Sequence, residues 1–341
     1  MGKKIKMEDI AKMTGVSVVT VSKALSGKKG VSDEMRTRIK QLADEIGYGQ
    51  KPEREIVRNE KTFQIGIIVL QKYLGKYVSF YWNLYQQLAA NAGQCNCFSM
   101  LEVITKTDVN ECSTPKLIKE KLVEGIVVIG KPEQPYLEML LSKATIPLVF
   151  LDFYDNYGEE DFVISDSFYG SYAMTNYLIS MGHRKIAYVG TLHSTPSITD
   201  RYLGYVKSLM EHNIQVKTEW ILEDRPLDFN EDSLYVTLPE EMPTAFVCNC
   251  DRTASILIKK LNDSGYRVPE DISVTGYDNF LDPGLCDIGL TTYEVDTKQM
   301  ANVALKMLMK KMKKESYKRG IHIVEGKMVI RDSVAQAISY I

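Results

Sequence analysis

Apolar residues recur at helical spacing three times within the first 47 positions, and the polar residues between them mark where each helix starts and stops. In MEDIAKMTG, Ile10, Ala11 and Met13 share a face, Glu8 and Asp9 occupy the first turn where negative charge suits the helix dipole, and Gly15 ends the run. VSVVTVSKALSG, residues 16–27, opens on Ser17 as N-cap, sets Val21, Ala24 and Leu25 at helical spacing and closes at Gly27. VSDEMRTRIKQLADEIGY opens on Ser32 and turns Met35, Ile39, Leu42, Ala43 and Ile46 inward. Two helices joined by a tight glycine-containing turn, with a third closing the core, predict a helix-turn-helix unit over residues 1–47.

The second helix also predicts chemistry. Val18, Val19, Thr20, Ser22 and Lys23 point outward from its first turns, just after Ser17, in the part of a recognition helix that meets base edges. Valines can contact thymine methyl groups, hydroxyls can bond phosphate oxygens, and Lys23 can reach guanine acceptors. Two adjacent outward valines need a partner to explain them. A small helical bundle is the bland alternative. Lys28, Lys29, Arg36 and Lys3 supply further cations for phosphates.

Beyond residue 61 the pattern changes. Apolar runs with strand character (IGIIVL, GIVVIG, PLVFLD, KIAYVG, TAFVCNC, ISVTGYD) alternate with helical stretches (NLYQQLAANAG, TPKLIKEKLV, GSYAMTNYLISMG, DRYLGYVKSLMEHN, RTASILIKKLNDSG). That alternation predicts an α/β body, a parallel sheet with helices on both faces, whose ligand crevice lies beyond the C-terminal ends of the strands.

Charge separates the two parts. Residues 1–61 carry a formal +5 and the remainder −7, although the whole chain of 341 residues is only −2. A basic module attached to an acidic body suits a polyanion partner. Six cysteines, two pairs of them in Cys-x-Cys, match neither a disulfide framework nor zinc-site spacing, so buried free thiols are expected and no metal. No run approaches a membrane span and MGKKIKMEDI has no signal-peptide character, which places the chain in the cytoplasm, off the membrane. Phosphate-loop, zinc-protease and nucleophile-elbow motifs are absent and histidines number four, so no enzyme activity and no cofactor is expected.

MEDIAKMTGVSVVTVSKALSGKKGVSDEMRTRIKQLADEIGY resembles the headpiece of the LacI/GalR family of bacterial transcription regulators. TFQIGIIV, IPLVFLD, YLISMGHRKIAYVG, DRYLGY, SGYRVPEDISVTGYDN, LTTYEVD and VIRDSVA are similar, in order, to successive blocks of that family's effector domain. The resemblance implies a headpiece at 1–47 and a hinge at 48–61, then a type I periplasmic-binding-protein-like effector domain of two parallel-sheet subdomains. Their expected extents are 62–163 with 292–323, and 164–291 with 324–341. It also implies a sequence-specific repressor working as a homodimer on a pseudo-palindromic double-stranded DNA operator, its affinity set by a small effector, a carbohydrate or related metabolite. A solute-binding protein or sugar-processing enzyme on the same fold is the alternative, which the headpiece argues against.

Carried over by motif, Asp152, Arg201 and Asp278 are the expected effector contacts, with Phe80 and Tyr81 (and Trp82 beside them) as stacking aromatics. Cys250 stands where the family often has an amide-bearing Asn, which speaks against a standard sugar pocket. The hinge GYGQKPEREIVRNE departs further: Pro52 is displaced, and Val57 or Ile56 holds the position of the apolar wedge that kinks DNA from the minor groove. Lys23 stands where many members have Arg, a point charge in place of a fork. The chain reaches Ile341 without leucine heptads, so dimers and not tetramers are expected.

Overall fold

The computed structural model describes residues 6–46, 48, 62–75, 79–156, 160–226, 234–280 and 286–337. The chain divides into two compact units, Met1–Lys61 and Thr62–Ile341.

In the first unit, α1 (Met7–Thr14), α2 (Val18–Leu25) and α3 (Asp33–Glu45) enclose a small core of Ile10, Ala11, Val21, Ala24, Ile39 and Ala43. Gly15, at φ +70°, ends α1 in the left-handed conformation that glycine adopts without penalty. Ser17 caps α2 by accepting from the Thr20 amide at 3.2 Å, and Ser32 does the same for α3 through Met35 at 3.4 Å. One expected core position fails. Met13 is 58% exposed and Thr14 is buried in its stead. At 100° per residue Thr14 falls between Ile10 and Ala11 on the helical wheel, while Met13 falls outside that arc.

The second unit begins with β1 (Phe63–Leu70), α4 (Phe80–Gln94), β2 (Cys97–Ile104) and two short helices, α5 (Lys106–Asn110) and α6 (Lys116–Lys119). Then come β3 (Gly125–Ile129), α7 (Gln134–Lys143), β4 (Leu148–Leu151) and β5 (Phe162–Ser165). The chain continues through α8 (Ser167–Ser180), β6 (Ile186–Val189), α9 (Pro196–Glu211), β7 (Ile221–Leu222), β8 (Ala245–Cys248), α10 (Asp251–Asp263) and β9 (Ser273–Thr275). It returns by β10 (Thr292–Glu294) to α11 (Thr297–Lys313) and β11 (Ile321–Val324), and turns back into β12 (Lys327–Val329).

Two parallel sheets result, one in the order β11-β5-β4-β3-β1-β2 and one in the order β7-β6-β8-β9; β10 and β12 form a separate antiparallel pair. The central strands β3 and β4 and the last six residues of β1 are wholly buried, as continuous apolar runs in a covered parallel sheet should be. The chain passes between the sheets at 165–167, 294–297 and 324–327.

TPKLIKEKLV forms only the single turn α6, because Lys121 takes φ +54° and leads directly toward β3. The helix expected from Asp200 begins four residues earlier, with Thr195 accepting from the Ile198 amide and Pro196 in the first turn. No helix among the described residues is long and apolar enough to cross a membrane, and no group of His, Cys, Asp and Glu among them could hold a metal. The six cysteines are all free thiols, but only Cys97 and Cys248 are buried as expected, and Cys95 is exposed at the end of α4.

Candidate functional site

The outward surface of α2 is as apolar as its sequence suggests. Val18 and Val19 are 39% and 63% exposed, and Ser22, Lys23, Lys28 and Lys29 are exposed beside them. Val21 and Ala24 are fully buried, so helical geometry fixes which face is left for a partner. The Ser17 and Thr20 hydroxyls lie 2.9 Å apart and bond each other, so each offers a partner only part of its hydrogen-bonding capacity. Arg36 also has a structural bond: its guanidinium donates to the Lys28 carbonyl at 2.9 Å, tying α3 to the turn that carries Lys28 and Lys29. Lys3, Pro52, Ile56 and Val57 lie outside the described residues.

Within the second unit the C-terminal ends of both sheets face a common cleft. A cavity of about 830 Å³ opens there, lined by Lys72, Lys131 and Tyr154 after strands of the first sheet and by His193, Thr195 and Asp200 from the second. That volume suits a small ligand, but none of Phe80, Tyr81, Asp152, Arg201, Cys250 and Asp278 is among its lining residues; Asp278 lines a separate cavity of about 250 Å³. The Tyr154 hydroxyl donates to Asp200 across the cleft at 2.9 Å.

Asp152 follows β4 directly, Arg201 lies in the second turn of α9, and Asp278 sits three residues beyond β9. Arg201 is 5% exposed and pairs with Asp278 at 3.0 Å; it donates to the Asn249 carbonyl at 2.6 Å, and its guanidinium lies 3.8 Å from the centre of the Tyr277 ring. Its Nε is buried without a hydrogen-bond partner. Asp152 and Asp278 hold φ of +68° and +94°, conformations that cost energy in a residue with a Cβ and that cluster at ligand sites.

Burial pushes the Asp152 carboxyl up to about 7; Asp278 adds to the rise, and Arg201 and a hydrogen bond from Tyr81 oppose it. Tyr81, in the first turn of α4, thus faces Asp152, while Phe80 packs edge-on against it with ring centroids 5.6 Å apart and Trp82 pairs with Tyr85. Because its folded value lies above the ordinary 3.8, the native state binds the Asp152 proton more tightly than the unfolded chain does. Its contribution to stability is therefore lost as pH rises from about 4 to 7, at up to about 1.4 kcal/mol per pH unit. Asp152→Asn is expected to gain stability over the parent across that interval and to hold a constant margin above it. Urea titrations at pH 4.5, 6 and 8 check this, and a margin that shrinks with pH would contradict it.

Cys250 caps α10, its sulfur accepting from the Thr253 amide at 3.5 Å. It touches a buried polar network that the sequence reading missed. Arg225 donates twice to Asp224, at 2.9 and 2.6 Å, and once to Asn249 at 3.1 Å; Asp224 also accepts from Thr253 at 2.7 Å and from the Thr191 amide at 3.0 Å. Arg225 foremost, with these hydrogen bonds, holds the Asp224 carboxyl down at about 2 against its burial. Asp251 goes the other way. Burial raises it to about 7, though it accepts from Thr292 at 2.5 Å and from the Phe280 amide at 2.9 Å.

The comparisons with known proteins agree with both halves. Residues 6–50 match the family described as "Bacterial regulatory proteins, lacI family", and residues 175–334 match "Periplasmic binding protein-like domain". The chain belongs to the LacI family. It is 27% identical over 332 residues to the HTH-type transcriptional repressor PurR of Mannheimia succiniciproducens and 28% identical over 333 residues to that of Pasteurella multocida. Both alignments cover 96% of this chain and 98% of the relative. Among solved structures, a transcriptional regulator CelR–cellobiose complex aligns with a TM-score of 0.69 at 20% identity, over 96% of this chain and 99% of that one. A Lac repressor dimer bound to operator and the anti-inducer ONPF aligns at 0.66 and 20% identity, over 98% and 100%. This LacI-family chain is a transcription regulator and not an enzyme.

Proposed function

We propose that this LacI-family chain is a sequence-specific DNA-binding repressor that acts as a homodimer in the bacterial cytoplasm on a pseudo-palindromic operator. The exposed Val18–Val19 pair at the start of α2 carries the reading. These side chains stand on a rigid helix beside Ser17, Thr20, Ser22 and Lys23, where they suit thymine methyl groups, phosphates and guanine edges. A two-fold dimer doubles a headpiece that alone offers few contacts, and it matches the symmetry of a palindrome.

The effector we place in the cleft is a small neutral molecule rich in hydroxyl or N–H donors, a sugar or a related metabolite. Asp152 and Asp278 can accept from such donors, Arg201 offers its unpartnered Nε, and Tyr81 offers a ring face. Cys250 supplies a thiol where an amide would read a hydroxyl, which favours a ligand with fewer polar groups on that side.

DNA selected from a random pool by the full-length chain tests the reading. Lys23→Ala is expected to relax base preference at one position of each half-site, at a cost of about 1 to 3 kcal/mol. Equal weakening on all sequences would reduce Lys23 to a phosphate contact. A chain starting at Thr62 that selects DNA as well as the whole protein would overturn the headpiece reading.

A further inference from the structure

One carboxylate bonds the first and third passages of the chain between the two sheets to the strand that leads into the second. Asp166 lies in the first passage; its amide donates to the Val324 carbonyl at 3.2 Å, and its carboxylate accepts from the Gly326 amide of the third passage, also at 3.2 Å. From β10, just before the second passage, the Tyr293 hydroxyl donates to the same carboxylate at 2.7 Å. Any rotation of one subdomain against the other must change backbone angles at these passages, and so must strain or break this knot.

The knot is in contact with the Arg201–Asp278 pair. The Tyr293 ring stacks on Tyr277, with centroids 5.2 Å apart and planes 28° apart, and Tyr277 in turn carries the Arg201 guanidinium. The Asp278 amide also donates to the Tyr293 carbonyl at 2.8 Å. Tyr277 holds a second clue. Its hydroxyl is buried and makes no hydrogen bond, an arrangement that costs free energy, and it is hemmed in at Gly170, where a Cβ would collide with it. The arrangement described here therefore contains one tyrosine hydroxyl that stabilises it and one that does not.

We propose that Tyr277 and Tyr293 are positioning residues that transmit displacement of the Arg201 guanidinium to the three inter-subdomain passages, with Asp166 as the latch on which they act. A ligand that draws Arg201 off the Tyr277 face frees Tyr277 to move, and the stacked Tyr293 follows, releasing Asp166. The role rests on the cleft being the effector site, but the latch itself can be read without effector or DNA.

Two variants that each delete a single oxygen provide the test, in the full-length chain. Tyr293→Phe removes the bond to Asp166, and Tyr277→Phe removes the unpaired hydroxyl. Hydrogen exchange is expected to quicken about threefold to tenfold in Tyr293→Phe, and to slow by a similar factor in Tyr277→Phe, as fits one hydrogen bond lost or one unpaired group relieved. The amides to follow are Gly326, on the latch, and Ile198 and Thr199, at the start of α9 beside the Tyr154–Asp200 bridge. Affinity for the selected DNA should shift in opposite directions in the two variants at unchanged headpiece stability, a change that a merely structural role would not produce. If Tyr293→Phe does not fold, Asp166→Asn, which retains only one acceptor oxygen, takes its place with the same expectation. Exchange at α9 that is unmoved in both variants, or moves the same way, overturns the latch. Loss of all DNA binding by the parent chain would instead strike at the proposed function, leaving the exchange result to decide the latch.

Discussion

Arg201→Ala is expected to abolish the effector response and to destabilise the effector domain by about 3 to 5 kcal/mol, the usual cost of removing one partner from a buried ion pair. Arg201 pairs with Asp278, bonds the Asn249 carbonyl and covers the Tyr277 ring, so its loss strands a carboxylate whose side chain is only 11% exposed. Asp152 loses its principal neutralising neighbour as well. Both carboxyls already sit above their ordinary range because of burial, and without the guanidinium they rise further. The penalty should accordingly shrink at pH 5 and be full at pH 8. Denaturant unfolding at the two values, with thermal-shift screening against sugars and nucleobases, measures both effects. A variant as stable as the parent, or one that still responds to the ligand found for the parent, would remove Arg201 from the site.

DNA binding should fall about 10³-fold between 50 and 200 mM salt, the loss expected when a dimer neutralises about six phosphates. Lys23, Lys28 and Lys29 are exposed on each headpiece, and the Arg36 bond to the Lys28 carbonyl holds the turn that carries two of them. The slope of affinity against salt, measured by fluorescence anisotropy on the selected operator, gives the number of contacts directly. A slope near that of one or two phosphates would show that a single headpiece engages DNA. Arg36→Ala should lower affinity through the disordered turn more than through its own charge.

Much of this architecture was legible in the sequence because local signals and burial agreed. Ser17, Gly15 and Ser32 mark the helix ends in the headpiece, and Val21, Ala24 and Ile39 are buried where periodicity puts them. The central strands of both sheets declare themselves as unbroken apolar runs. Edge strands do not. In β2, Ser99, Glu102 and exposed Phe98 interrupt the pattern, and β11 alternates exposed Ile321 and Ile323 with His322 and Val324, so neither reads as a buried strand. The Asp224–Arg225 pair escaped for a related reason. It follows β7, a strand of two residues, too short to announce the strand end at which site residues collect. The tyrosines of the latch carry no local signal at all, because their roles depend on which segments the fold brings side by side.

The network of Asp224, Arg225, Asn249, Thr253 and Thr191 also bears on how such a regulator acquires a new ligand. Every member makes at least one hydrogen bond to another member, so changing any one strands a buried partner at a cost of about 1 to 3 kcal/mol or more. Single substitutions there would be purged for instability before any change in recognition could be selected. Cys250 stands at the margin of that network, bonded to Thr253, and Tyr81 stands apart from it beside Asp152. A biosensor built on this scaffold should be diversified at those two positions, with the network beneath left as inherited.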